Sequence, residues 1–189
     1  MKKIILMVLF LFVWSNVFSN DVKIVMIIAE NNFRDEELFV TKEVLEEKGA
    51  KVIVASTSLT PAKGMLGGVY KPDILLKDIK IDDYDAIIFV GGIGATQYWN
   101  DKTAHKLIKE ALEKDKVIAA ICIAPVTLAN AGILKGKKAT VWSSEARALE
   151  RAGAIYTGKS VEKDGKIITA NGPHAAKAFG ETIAATLGL

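Results

Sequence analysis

The chain contains a single cysteine, Cys122, set in a run that makes a thiol a candidate for chemistry. Val117-Ile118-Ala119-Ala120-Ile121-Cys122-Ile123-Ala124-Pro125 reads as an apolar strand that must reverse into a helix at the cysteine. In such a nucleophile elbow the residues two before and two after the nucleophile face one another closely, so only small side chains fit. Ala120 and Ala124 stand at those places. The thiol is then expected at a helix N-terminus, where the dipole and free N–H groups favour the thiolate. A cysteine ending a core strand can also be an inert small hydrophobe, and the elbow spacing argues against that reading here.

Few other residues offer competing chemistry. Gly91-Gly92-Ile93-Gly94 follows an apolar strand, but Gln97 occupies the third glycine position of a dinucleotide fingerprint, and the segment is not the first strand-to-helix turn. One cysteine and two distant histidines, His105 and His174, match no zinc-ligand spacing. His105 falls on a charged helical stretch and reads as a surface residue. No metal or cofactor is expected.

The elements that must position Cys122 alternate between short β-branched runs and amphipathic stretches, the pattern of a doubly wound α/β domain with a mostly parallel sheet between helices. Strands are expected over 23–29, 51–55, 86–90 and 117–121, the last the most buried. A first helix is expected over 35–48, capped by Asp35 and closed by Gly49, with Leu38, Thr41, Val44, Leu45 and Lys48 inward. Others are expected over 102–114, 125–131 and 144–152. Residues 63–79, rich in glycine, suggest an excursion outside the main sheet. Further strands are expected over 139–142 and 154–156, then a hairpin over 160–170 turning at Asp164-Gly165, with Pro173 opening a last helix. There is no internal repeat.

At the N-terminus, Met1-Lys2-Lys3 precedes an apolar run over 4–14, then Ser15 to Ser19. This has the form of a secretory signal peptide cut after Ser19, since the run is shorter than the roughly 20 residues of a spanning helix. The expectation is an exported, periplasmic or secreted domain of residues 20–189 with no stable membrane insertion. Loss of Lys2 and Lys3 brings the net charge from +3 to +1, and no basic patch points to nucleic acid. With one cysteine no internal disulfide forms, so stability rests on the core.

Four segments together resemble the DJ-1/PfpI superfamily, within the class I glutamine amidotransferase-like, flavodoxin-like fold: Phe33-Arg34-Asp35-Glu36-Glu37-Leu38, Val90-Gly91-Gly92-Ile93-Gly94, the Ala-Ile-Cys-Ile-Ala-Pro elbow, and the stretch from Asp164 to Pro173. The resemblance implies that Cys122 is the nucleophile and Glu37, rather than Glu36, its acid/base partner. It implies an oxyanion hole from the N–H groups of Gly92 and Ile123, with Gly91 and Pro173 beside the substrate, and an assembly of dimers or larger. It implies cofactor-independent action on small reactive carbonyls, as a glyoxalase or deglycase. Two departures stand out: Ile123 and Trp142 occupy places where members of the superfamily carry a histidine. That weakens a peptidase or amidase reading, because acyl transfer by cysteine generally needs an imidazole. His174, following the Asn171-Gly172-Pro173 loop that the resemblance places beside the nucleophile, is the candidate to supply it. A non-catalytic redox sensor or stress protein using oxidation of Cys122 is the alternative from another class.

Overall fold

The computed structural model describes residues 22–189; the expected signal segment and its cleavage point lie outside the described residues. In chain order the elements are β1 (Lys23–Ile27), β2 (Asn31–Phe33), α1 (Asp35–Glu47), β3 (Lys51–Ser56), β4 (Ala62–Gly64), β5 (Val69–Tyr70), β6 (Ile74–Leu75), β7 (Ala86–Phe89), α2 (Lys102–Glu113) and β8 (Val117–Ile121). There follow α3 (Pro125–Asn130), β9 (Lys138–Ala139), α4 (Ala146–Arg151), β10 (Ile155–Tyr156), β11 (Val161–Asp164), β12 (Ile167–Ala170) and α5 (Ala176–Leu187).

Seven strands form the main sheet in the order β11-β12-β8-β7-β1-β3-β6. All neighbours are parallel except the β11–β12 hairpin. A parallel sheet covered on both faces needs strands that are apolar on both sides, and β7 and β8 are buried along their whole length. Alternation along β8 sends Ile118 and Ala120 to the face covered by α2, α3 and α4, while Ala119 and Ile121 go to the face covered by α1 and α5. The chain winds outward from β1 in one direction through β3 and in the other through β7, so the crevice at the carboxyl ends of β1 and β7 is the topological switch point where such sheets bind ligands.

The doubly wound α/β fold is as expected, with local differences. Only part of the glycine-rich excursion leaves the main sheet: β4 and β5 join β2 in a separate three-stranded sheet, whereas β6 pairs with β3 at the main sheet's edge. Asp35 does not cap α1. Arg34 is the N-cap, and the Asp35 carboxylate instead accepts the N–H groups of Leu66 (2.8 Å) and Gly68 (2.6 Å), tying the β4–β5 hairpin to the helix start. The strand expected over 139–142 is cut to β9, because the next backbone donors go elsewhere: Thr140 N–H to the Thr169 hydroxyl at 2.9 Å, and Trp142 N–H to the Cys122 carbonyl at 2.8 Å. Helix 144–152 begins as a 3₁₀ turn, and so does the last helix, at Pro173–Ala175.

Candidate active site

Cys122 sits just past the end of β8 with φ of +63°, a left-handed conformation that a residue bearing a Cβ adopts only when its surroundings impose it. Here the backbone is held on both sides. Its N–H donates to the Ala170 carbonyl at 2.9 Å and its carbonyl accepts from Trp142 N–H. Ala120 and Ala124, two residues either side, are fully buried, and Pro125 starts α3. The spacing of small residues thus corresponds to a strained strand-to-helix turn.

Glu37 reaches the same point from the first turn of α1 and is completely buried. Its Oε2 accepts the Gly91 N–H at 2.9 Å, and its Oε1 has no hydrogen-bond partner among the described residues. Glu36, one residue earlier, turns outward into a two-pronged ion pair with Arg34 (2.8 and 3.0 Å). The helix therefore separates the two glutamates into one surface and one interior position. Gly91 is the contact point of three elements: a Cβ there would collide with the Cys122 Cβ, the Glu37 carboxyl and the Ile121 carbonyl. Gly92 has φ of +89° and lies against the backbone of Asn32, Phe33 and Arg34, so neither glycine can carry a side chain.

Carboxyl and thiol determine each other's protonation. Burial pushes Glu37 up to about 8, opposed by the thiol, the Gly91 N–H and the charge of Arg34. Burial likewise pushes the Cys122 thiol up to about 12, and a negative Glu37 raises it further, while the N–H groups of Gly92 and Ile123 favour the thiolate. Groups interacting this strongly titrate as a pair, so near neutrality they carry at most one negative charge between them. The N–H groups at the start of the helix favour the thiolate, as expected, and burial opposes them.

Above the sulfur opens a cleft of about 440 Å³. Gly92, Ile123 and Pro173 line it, together with Arg34, Met65, Ile93, Trp99 and Trp142, which reading for catalytic residues alone did not single out. Trp99 is fixed by its indole N–H, which donates to the Ile123 carbonyl at 3.2 Å. The available signals were slight: Arg34 lies inside the motif that carries Glu37, and Trp142 was visible only as a place without histidine. His174 was the candidate to supply an imidazole. It is exposed on the Pro173–Ala175 turn and does not line the cleft. The Trp142 ring packs against Gly172, with the edge of the His174 ring beside it. His105 accompanies α2, with its Nε2 2.9 Å from the Trp99 carbonyl.

The family model described as the DJ-1/PfpI family matches residues 22–186. An uncharacterised protein of Methanocaldococcus jannaschii is 49% identical over 161 residues, covering 84% of this chain and 78% of its own. A glutathione-independent glyoxalase of Caenorhabditis elegans is 31% identical over 80% of this chain and 81% of its own. Deglycase PfpI of Pyrococcus furiosus is 27% identical over 79% and 90% respectively. Among solved structures, a ThiJ/PfpI domain protein from Brachyspira murdochii superposes with a TM-score of 0.86 at 34% identity, covering 88% of this chain and 96% of that one.

Proposed function

The chain belongs to the DJ-1/PfpI family, and from that premise we propose that it is a cofactor-independent enzyme converting small 2-oxoaldehydes to 2-hydroxy acids, with Cys122 as nucleophile and Glu37 as the sole acid/base. The observation that carries the reading is the buried carboxyl beside a strained cysteine, with two backbone N–H groups facing the sulfur at the floor of a cleft. The presence of a glyoxalase and a deglycase among its relatives supports the same class of chemistry.

The steps use only this pair and water. In the fraction of molecules whose Glu37 is ionised, the thiol proton passes to that carboxylate as sulfur adds to the aldehyde carbon, and the resulting oxyanion takes the same proton back from Glu37 to give a hemithioacetal, leaving the carboxylate free. As the oxyanion develops, the N–H groups of Gly92 and Ile123 are free to turn from sulfur to oxygen. Glu37 then removes the proton on the former aldehyde carbon. The enediol so formed is reprotonated at the neighbouring carbon, which leaves a 2-hydroxy thioester. Water hydrolyses it, releasing the acid and restoring the thiol. One carbon is oxidised as its neighbour is reduced, so no external oxidant enters.

A carboxyl raised to about 8 suits a group that must both accept and return protons near neutrality. Neither histidine lines the cleft, which argues against a peptidase. The test is conversion of methylglyoxal to lactate without metal or added thiol: Cys122→Ser and Glu37→Gln should each abolish it. Equal rates in wild type and Cys122→Ser would sink the proposal.

A further inference from the structure

Beneath the mouth of the Cys122 cleft the walls are far more apolar than a three-carbon aldehyde requires. Two of the chain's three tryptophans, Trp99 and Trp142, line it with Met65, Ile93 and Ile123. Both are tied to the elbow itself, Trp99 through its indole N–H on the Ile123 carbonyl and Trp142 through its main-chain N–H on the Cys122 carbonyl. Their distance from the sulfur is therefore set by the turn that presents it.

Several polar side chains of the lining already have partners. Arg34 is held by Glu36, the Thr96 hydroxyl donates to the Ile93 carbonyl at 3.0 Å, and the Ser144 hydroxyl donates to Glu145 at 2.9 Å. Much of what faces a ligand is apolar surface: Ile93, Met65 and Trp142 are 61%, 43% and 42% exposed around the opening. At about 440 Å³ the cleft falls in the range that encloses ligands much larger than methylglyoxal.

We infer that the preferred substrate is a 2-oxoaldehyde bearing a flat apolar substituent, an arylglyoxal, whose ring packs against Trp142 and Trp99 while its aldehyde carbon meets Cys122. The inference rests on the glyoxalase reading for its chemistry, and the wall of Trp142 determines the specificity. In a hydrophobic pocket a single methylene already changes kcat/KM by roughly tenfold or more, and a phenyl ring in place of methyl offers several times that contact.

The experiment compares initial rates for phenylglyoxal and methylglyoxal. Wild type should favour phenylglyoxal in kcat/KM by at least about tenfold. Trp142→Ala should bring that ratio close to one, and Trp142→Phe, which keeps an aromatic wall, should restore most of it. Because the Trp142 side chain is half exposed, both variants are expected to fold. A second readout needs no turnover: protection of Cys122 from iodoacetamide by the two product acids, mandelate and lactate. Mandelate should protect at a concentration at least about tenfold lower than lactate, and Trp142→Ala should erase the difference. If methylglyoxal is converted but the phenylglyoxal ratio is one or below, or is unmoved by Trp142→Ala, the inference is overturned and the glyoxalase reading stands. If neither aldehyde is converted yet mandelate protects selectively, the glyoxalase reading falls and the aryl site stands. Equal protection by both acids, without turnover, removes both.

Discussion

Burying a carboxyl without a full set of partners has a cost that depends on pH, and Glu37 makes it measurable. Its pKa is raised from 4.5 to about 8, mainly because burial disfavours the charged form. A carboxyl whose folded value exceeds its unfolded value contributes stability that is fully present below the unfolded value. That contribution is lost as pH rises through the folded one. At pH 7 an unfolded Glu37 is ionised while the folded one is still mostly protonated, so the folded state loses roughly 3 kcal/mol between pH 4 and pH 7 through this group, approaching about 5 kcal/mol above pH 8. The Cys122 thiol, held up to about 12, stays protonated throughout and adds nothing to the change. In Glu37→Gln the amide oxygen can still accept the Gly91 N–H, the shape is kept, and nothing titrates. Urea denaturation of both proteins in reducing buffer at pH 4, 5.5 and 7 should therefore show the variant gaining on wild type by about 3 kcal/mol across that range. A difference constant to within about 0.5 kcal/mol would show that Glu37 is ionised in the folded protein, and the proton transfers proposed for it would have to be abandoned.

Other outcomes follow from the same geometry. The rate of Cys122 alkylation by iodoacetamide should rise with pH as the pair loses its first proton, with a midpoint near the value of about 8 held by Glu37; a plateau already reached at pH 6 would refute the desolvated pair. Gly91→Ala should abolish turnover and cost about 2 kcal/mol or more in thermal unfolding, since the added methyl would collide with both Cys122 and Glu37. His174→Ala should leave kcat/KM within about twofold of wild type, whereas a general base would lose about a hundredfold. Asp35→Ala should leave α1 formed but free the β4–β5 hairpin, seen as faster hydrogen exchange at Leu66 and Gly68, whose N–H groups it binds.

The parts of the structure readable from sequence are those specified by neighbours along the chain. Ala120 and Ala124 mark the elbow because the constraint they satisfy spans only a few residues, and the apolar runs of β7 and β8 announce a sheet covered on both faces. Asp35 was misread because cap preference is a local statistic, whereas its carboxylate is claimed by two N–H groups in a hairpin some thirty residues onward. The cleft walls were hidden for a similar reason. Trp99 and Trp142 come from separate connections on opposite sides of the elbow, and nothing in either's immediate sequence shows that they converge. His174 drew attention as the remaining imidazole near a loop, but adjacency along the chain did not determine where the turn at Pro173 would leave it.

The protonation of the site is the property least accessible to local reasoning, and magnitudes explain why. A helix terminus is worth at most about 2 kcal/mol to an adjacent charge, equivalent to about one and a half pH units, and α3 is only six residues long. The thiol's rise from 9.0 to about 12 exceeds that, and it arises from burial beside an acidic neighbour delivered by a distant helix. Gly91 links the two effects. Its missing side chain is what allows the start of α1, the end of β7 and the elbow to meet, and its N–H donates to the Glu37 carboxyl. The packing that desolvates the pair also orients it, and in the proposed reaction the thiol proton would leave only as the carbonyl takes up the negative charge.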